Sequence, residues 1–280
     1  MTSIVVTGAQ GFLGRHAVRR FRQHGKSVIP LTRSPPTDAS ARRVARYQDY
    51  VPPADAILVH LAEPAMVPAA ECAAAHVPAM VEQCLGLLAH PWRRVVYASS
   101  AVVYGDAITT PRRRDEPVTQ AGAYATAKLQ CEAAVLSVGG SVARFANLYG
   151  HGMNGATVIP EILAQLGRTG PLTVRNAKVI RDFLCVEDAA AGLQALTEDR
   201  APHGELFNFG SGNGHRIEQI ARHALRLAKE AGRDVVSSDP AARETCLILD
   251  IAATTEALGW RPTADLEQWL ADVVSEGPCR

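Results

Sequence analysis

A glycine-rich turn near the N-terminus constrains the fold of this chain more than any other feature. The segment TGAQGFLG, residues 7–14, follows a short apolar run and precedes an amphipathic one. Gly8 permits a tight turn, Gly11 lets a pyrophosphate approach the backbone, and Gly14 lets a helix pack closely on a strand. Amides at the start of that helix attract phosphate, so the turn predicts a dinucleotide site. The predicted contacts are Gly8, Gly11, Phe12, Leu13 and Gly14.

Short apolar runs alternate with helical patterns along the chain. The runs lack polar alternation, which is typical of strands covered on both faces, and their alternation with helices predicts parallel βαβ units. We therefore predict an α/β fold, a Rossmann-type doubly wound parallel sheet with a smaller C-terminal substrate-binding lobe. Predicted strands cover 3–7, 27–31, 56–61, 94–98, 141–145 and 206–209, and predicted helices cover 13–24, 68–89, 123–137, 186–197 and 217–232.

Glycine, proline and arginine interrupt this alternation after residue 150, which indicates a second lobe woven into the first. We assign 1–146 to an NAD(P)-binding domain, to which 182–210 return. Residues 147–181 and 211–280 form the predicted substrate-binding lobe.

Charge and composition disfavour several functions. The chain has 29 basic and 28 acidic side chains, and this balance gives no electrostatic reason to bind nucleic acid or an anionic membrane. No apolar run approaches the roughly 20 residues of a transmembrane helix, and the N-terminus lacks the pattern of a secretory signal. The 6 cysteines show no metal-ligand spacing. We expect a cytoplasmic protein with no metal and no nucleic-acid or membrane partner.

The end of the second predicted strand indicates which dinucleotide binds. NAD sites usually place a carboxylate there for the ribose hydroxyls, but this chain has Thr32-Arg33-Ser34. A guanidinium after a small hydroxyl suits the 2′-phosphate of NADP. We therefore expect NADP, with NAD as the alternative, and Arg33 as the phosphate ligand. Asp49 is the predicted acceptor for the adenine amino group.

Two further segments carry candidate catalytic groups. In YATAK, 124–128, Tyr124 and Lys128 share one face of a predicted helix, and the ammonium is expected to lower the pKa of the phenol. Such a tyrosine can act as acid or base on an alcohol or ketone. Ser100 follows the fourth predicted strand, at the edge where parallel sheets bind ligands. Tyr124 and Lys128 are therefore a candidate acid/base pair, with a serine hydroxyl expected nearby.

Eight motifs occur in a fixed order along most of the chain. They are TGAQGFLG at 7–14, HLAEPA at 60–65, SSAVVYG at 99–105, YATAK at 124–128, RFANLYG at 144–150, RDFLCVED at 181–188, NFGSG at 208–212 and LGWRP at 258–262. With these motifs the chain resembles the extended short-chain dehydrogenase/reductase family, which includes nucleotide-sugar epimerases, dehydratases and ketoreductases.

The resemblance implies a catalytic triad of Ser100, Tyr124 and Lys128, with a role for each member. Ser100 would hydrogen-bond the reacting sugar oxygen. Tyr124 would be the general acid/base, and Lys128 would hold the nicotinamide ribose and depress the tyrosine pKa.

Other positions acquire expected contacts from the same resemblance. Leu61 and Ala62 would line the cofactor, and the backbone of Phe145 would meet the nicotinamide. Asn147 and Arg181 would bind the diphosphate of a nucleotide sugar, for which a guanidinium is a natural partner. The family also implies a homodimer, in which segments 68–89 and 124–138 of two chains form a four-helix bundle.

Departures from the family pattern narrow the expected reaction. Ala101 and Val102 stand where family 4,6-dehydratases carry Asp and Glu, which disfavours dehydration. The triad alone supports hydride and proton transfer at one carbon. We favour an NADP(H)-dependent reductase of a nucleotide-diphosphate 4-keto(-6-deoxy) sugar that transfers hydride at C4. An NAD(P)-dependent nucleotide-sugar 4-epimerase and a non-catalytic NADP-binding regulatory protein stay open as alternatives.

Four weaker features are expected to be peripheral. Glu63 replaces a small residue and is expected to face solvent or cap a helix, although the pocket is the other possibility. His151 is expected to be a loop histidine, and Arg243 is offset from the family's diphosphate-binding arginine. The run 112–116, RRRDE, is predicted to be a solvated surface loop.

Overall fold

The protein contains a central parallel sheet and two smaller sheets. The computed structural model describes residues 2–63, 70–118, 122–239 and 241–276. The strands are β1 Ser3–Thr7, β2 Ser27–Thr32, β3 Arg42–Arg43, β4 Ile57–His60, β5 Arg94–Ser100, β6 Ser141–Phe145, β7 Asn147–Tyr149, β8 Leu172–Val174, β9 Ile180–Cys185, β10 Leu206–Phe209, β11 Gly214–Arg216, β12 Val235–Ser237 and β13 Cys246–Leu247. The helices are α1 Phe12–Gln23, α2 Ala70–Leu88, α3 Gly122–Ser137, α4 Val158–Leu163, α5 Val186–Thr197, α6 Ile217–Leu227, α7 Ala252–Leu258 and α8 Leu266–Glu276.

The central sheet has seven strands in the order β10-β6-β5-β4-β1-β2-β3, and all its pairs are parallel. Successive apolar residues of a strand face opposite layers: Ile4 and Val6 pack in the core with α1 and α5, while Val5 packs in the core with α2 and α3. Burial on both faces explains the continuous apolar runs in the sequence. The predicted Rossmann-type α/β fold is confirmed.

The second lobe has its own core beside this sheet. Strands β11, β9 and β13 form a small sheet to which β7 is added, and β12 pairs with β8. Helices α4, α6 and α8 bury apolar side chains against these strands, including Ile162, Ile220 and Leu270. Among the described residues, no helix combines the length and apolarity that a bilayer crossing requires.

Most predicted elements occur within two residues of their expected ends, with two differences. The helix expected over 217–232 ends at Leu227, because Lys229 adopts a φ of 62° and turns the chain away from the helix axis. In addition, the connection 32–44 contains the two-residue strand β3, which was not predicted and which pairs with β2.

The run 112–116 was expected in solvent, and this prediction is wrong for Arg112. Its side chain is 3% exposed and lies 5.4 Å from the Tyr104 ring centre, paired with Glu116. Its backbone N–H donates to Ile248 O at 2.8 Å, and its carbonyl accepts from Asn208 Nδ2 at 2.9 Å. These bonds tie the loop to the end of β10.

Candidate active site

The carboxyl ends of the central strands form one edge on which most predicted site residues lie. Thr7 is in register with His60 at the ends of β1 and β4, and Ser100 is in register with Phe145 at the ends of β5 and β6. The glycine turn, the loop after β4 and Ser100 therefore border one crevice. Such a crevice is where open α/β sheets bind ligands.

The glycine turn fits a dinucleotide pyrophosphate. Gly8 has a φ of +66°, and a Cβ there would lie 2.8 Å from Ala62 Cα. A Cβ on Gly14 would lie 2.1 Å from Gly8 O, so both positions require glycine. Helix α1 starts after Gly11 with no side-chain cap and no acid in its first turn. Its first amides, which include those of Phe12 and Leu13, are thus available to an anion.

The loop after β4 forms the neighbouring wall of the crevice. Leu61 N–H donates to Thr7 Oγ1 at 3.2 Å, and Gln83 Nε2 of α2 donates to Ala62 O at 2.8 Å. These bonds hold the predicted cofactor-lining residues Leu61 and Ala62 beside the turn.

Basic side chains cluster where the adenosine ribose is expected. Arg33 is exposed, and its guanidinium lies 5.5 Å from the ring centre of buried Tyr47, whose hydroxyl accepts a hydrogen bond from Gly8 N. Arg43 on β3 donates from Nε to Arg33 O at 3.4 Å. Neither guanidinium is paired with a carboxylate in the described ranges. Arg43 was missed from sequence, because a two-residue strand gives no periodic signal.

Asp49 lies on a short 3₁₀ helix, Tyr47–Asp49, near this cluster in the sequence. Its side chain is exposed, and its Oδ1 is 4.0 Å from Arg46 Nε. An adenine contact for Asp49 stays a prediction.

Tyr124 and Lys128 lie one helical turn apart on α3. The Lys128 ammonium is 5.6 Å from the centre of the Tyr124 ring and donates to Ala98 O on β5 at 2.8 Å. Because Ala98 precedes Ser100 by two residues, the ammonium is anchored on the strand that ends in Ser100. The structure therefore places Lys128, with Tyr124 one helical turn away, beside the strand that ends in Ser100.

Glu63 differs from expectation, because its side chain is buried and pairs with Lys128. Although burial disfavours the charged lysine, the carboxylate raises the pKa of Lys128 above its ordinary value. Burial also raises the pKa of Tyr124; Lys128 opposes this and Glu63 adds to it. The expected net lowering of the tyrosine pKa does not occur in the protein alone, since burial and Glu63 outweigh the ammonium.

The two serines that end β5 have different environments. Ser99 points toward α3 and donates to buried Glu132, whereas the Ser100 hydroxyl accepts from Val102 N–H at 3.3 Å. Val102 is 36% exposed. An apolar side chain thus stands at the surface where the dehydratases would place an acid.

Arg181, a predicted substrate residue, is paired with a residue that was not predicted from the sequence. Its Nη2 donates to Asp106 Oδ2 at 2.8 Å, and Arg243 Nη2 donates to Asp106 Oδ1 at 3.2 Å. Two guanidinium groups therefore converge on one carboxylate. Asn147 lies exposed at the start of β7, in register with Phe183 on β9.

His151 packs on the second lobe. Its ring is 6.3 Å from that of Trp269, and its carbonyl accepts a hydrogen bond from His16 Nε2 at 3.1 Å. These contacts agree with a loop histidine.

The crevice, the glycine turn and the Tyr124–Lys128 pair define a dinucleotide-binding enzyme of the Rossmann type. A family model described as the NAD dependent epimerase/dehydratase family matches residues 4–210. The chain belongs to this family, whose members include oxidoreductases and epimerases that depend on a nicotinamide cofactor.

Individual relatives are distant but cover much of the chain. UDP-glucuronic acid decarboxylase 4 from Arabidopsis thaliana is 26% identical over 310 residues, 98% of this chain and 68% of that protein. dTDP-4-dehydro-6-deoxyglucose reductase from Escherichia coli is 26% identical over 200 residues, 67% of this chain and 62% of that protein. The structure of RMD from Pseudomonas aeruginosa complexed with NADPH has a TM-score of 0.83 at 24% identity, over 99% of this chain and 98% of that one.

Proposed function

We propose that this protein is an NADP(H)-dependent reductase of a nucleotide-diphosphate 4-keto(-6-deoxy) sugar. Tyr124 donates a proton to the C4 oxygen while the bound nicotinamide supplies hydride to C4. Ser100 hydrogen-bonds the same oxygen, and Lys128 fixes the nicotinamide ribose. The set acts at a single carbon, because Ala101 and Val102 offer no further acid or base.

The observation that carries the cofactor assignment is the Arg33–Arg43 cluster at the ends of β2 and β3. Two exposed guanidinium groups without a carboxylate partner in the described chain suit a phosphate. An NAD site would gain from an acid there, and none follows β2. A relative that is a dTDP-4-dehydro-6-deoxyglucose reductase and a neighbour complexed with NADPH both support the proposal.

A 4-epimerase is the second candidate, because oxidation and re-reduction at C4 need the same three residues. The family to which the chain belongs includes epimerases, which supports this candidate as well. The two functions differ in cofactor handling: an epimerase keeps its dinucleotide through the cycle, whereas a reductase exchanges it.

Cofactor identity is the first test. The purified protein is denatured, any released dinucleotide is identified by mass and absorbance, and the stripped protein is titrated with NADPH and NADH. We expect an empty site and at least about tenfold tighter binding of NADPH. Tightly retained NAD with no NADPH preference would contradict the reductase and favour the epimerase.

Substitutions of Arg33 and Arg43 test whether these residues cause the preference for NADPH over NADH. Arg33→Gln and Arg43→Gln should each weaken NADPH binding by about 10- to 100-fold and leave NADH binding unchanged. Arg222→Gln, an exposed arginine on α6 paired with Glu218, is the matched control. Equal NADPH affinity in all three variants would remove the basis for the assignment.

The proton donor is tested with nucleotide-linked 4-keto sugars by following the loss of NADPH absorbance. Tyr124→Phe should lower kcat by about 10²- to 10⁴-fold while NADPH affinity is retained. Tyr149→Phe, whose ring packs against Trp269 in the core of the second lobe, serves as the control. A kcat that Tyr124→Phe leaves unchanged would contradict the assigned role.

We also infer a homodimer formed through α2 and α3. Val77, Val81 and Leu85 recur every four residues along α2, and Leu85 is 52% exposed. They line an open groove of about 790 Å³ with Gln130 of α3. A second copy of the chain fits this apolar stripe, because two such stripes related by a twofold axis cover each other.

A further inference from the structure

A buried carboxylate lies beside the lysine of the YATAK segment. Glu63 follows β4, and its side chain is 4% exposed. Its two oxygens accept hydrogen bonds from the Tyr97 hydroxyl at 2.8 and 2.9 Å, and Lys128 completes the ion pair. A carboxylate buried to this extent stays ionised only when it is paired and hydrogen-bonded. Glu63 therefore belongs to the interior of the site.

Lys128 in turn has two fixed acceptors, the Glu63 carboxylate and Ala98 O. A lysine side chain is long and flexible, so two acceptors on different elements restrict where its ammonium can lie. We propose that Glu63 is a positioning residue, which anchors the Lys128 ammonium at the end of β5 and balances its charge next to Tyr124. This inference rests on the proposed role of Tyr124 as proton donor.

The charge balance has a chemical consequence. A lone ammonium beside Tyr124 would favour phenolate, whereas an ammonium paired with a carboxylate does so less. Glu63 adds to the effect of burial, which raises the pKa of Tyr124. The tyrosine therefore keeps its proton over a wider pH range. A phenol is the form that protonates a carbonyl oxygen during reduction, so Glu63 extends reduction to higher pH.

Glu63 and Lys128 are the dominant charged groups in this part of the site. The other titratable groups facing this pair are His60 on β4, Tyr97 on β5, Cys84 on α2 and Cys131 on α3. Burial lowers the pKa of His60 to about 4, so it is neutral at neutral pH. Burial raises the pKa of Tyr97, which stays protonated. The Cys84–Cys131 hydrogen bond raises the pKa of Cys84 and lowers that of Cys131.

The test is the titration of Tyr124 itself. Phenolate absorbance is followed against pH in the protein and in Glu63→Gln, and the curve of the matching Tyr124→Phe variant is subtracted from each. We expect Glu63→Gln to shift the Tyr124 transition down by about one pH unit. Glu82→Gln, an exposed acid on α2 paired with Arg46, should leave it in place. An unchanged transition in Glu63→Gln would overturn the proposal.

A second comparison decides the question if Glu63→Gln does not fold. Glu63→Asp keeps the carboxylate but shortens the side chain by one carbon, which weakens its contact with Lys128. The Tyr124 transition should shift down by less than the shift expected for Glu63→Gln, and a transition that stays in place would overturn the proposal.

Kinetics add a reading that a purely structural role would not give. In Glu63→Gln, the alkaline decline of kcat for reduction should move to lower pH by the same amount as the Tyr124 transition, with KM for the nucleotide sugar little changed. A decline that keeps its place would contradict the proposal. If no 4-keto sugar is reduced, the proposed function fails, while the absorbance titration still decides the role of Glu63.

Discussion

A buried ion pair lies where α3 packs against β5 and β6, close to the strand end that carries Ser100. Glu132 and Arg144 form a bidentate ion pair, and their side chains are 4% and 5% exposed. Ser99 donates to Glu132, and the Arg144 guanidinium packs 4.6 Å from the centre of the Tyr104 ring. Charges this deep persist only when they are paired and hydrogen-bonded, so the pair holds α3, which carries Tyr124, against the sheet.

Removing one partner of this pair should be costly. Arg144→Met leaves the Glu132 carboxylate buried without a cation and is expected to lower the free energy of unfolding by about 3–5 kcal/mol. The double variant Arg144→Met/Glu132→Leu has no orphaned charge and should recover at least half of that loss. Urea unfolding followed by tryptophan fluorescence measures both. Equal losses in the single and double variants would show that the orphaned charge is not the cause.

At the scale of elements, the β1–α1 junction combines a folding requirement with a binding one. Helix α1 lies so close to the glycine turn that a Cβ on Gly14 has no room. The same close packing brings the first amides of the helix to the crevice. The packing of helix on strand and the anion site are therefore one feature.

Gly14→Ala should affect both properties of this junction. The added methyl group would lie 2.1 Å from Gly8 O, a backbone atom, so helix and turn must separate. We expect the free energy of unfolding to fall by at least about 2 kcal/mol and NADPH affinity to fall with it. Gly155→Ala, which meets no atom within 4 Å, should change stability by less than about 0.5 kcal/mol. Chemical unfolding and NADPH titration test this; an unaffected Gly14→Ala variant would contradict it.

Local sequence patterns predicted the features that depend on residues close together in the chain. Apolar runs located the central strands, and the YATAK spacing placed Tyr124 and Lys128 on one helix face. Contacts between distant residues were not predictable in this way: Glu63 meets Lys128 across 65 positions, and Asp106 meets Arg181 across 75. No local sequence pattern predicts the partner of either acid, because the packing of distant loops determines which cation each acid meets.

At the scale of the whole molecule, two motif aspartates connect the lobes. Asp182 accepts hydrogen bonds from Ser211 at 2.7 and 2.6 Å and from the backbone of Gly212 and Leu249. Asp188 accepts from Thr263 and Ala264 near the C-terminal helix. Trp260 Nε1, within LGWRP, donates to Asp188 O at 3.0 Å. The motifs RDFLCVED, NFGSG and LGWRP are therefore joined by these hydrogen bonds.

The last prediction concerns the oligomeric state of the protein. If two chains associate through the α2 stripe, Leu85→Glu places a charge in the centre of an apolar contact and should convert the dimer to a monomer. Light scattering after size-exclusion chromatography should report twice the chain mass for the protein and one chain mass for the variant. Val236→Glu on β12 changes an exposed apolar residue of the second lobe and should remain dimeric. A monomeric parent protein, or a dimeric Leu85→Glu variant, would contradict this interface. Because α2 packs on α3, loss of the dimer should also lower the melting temperature of the protein.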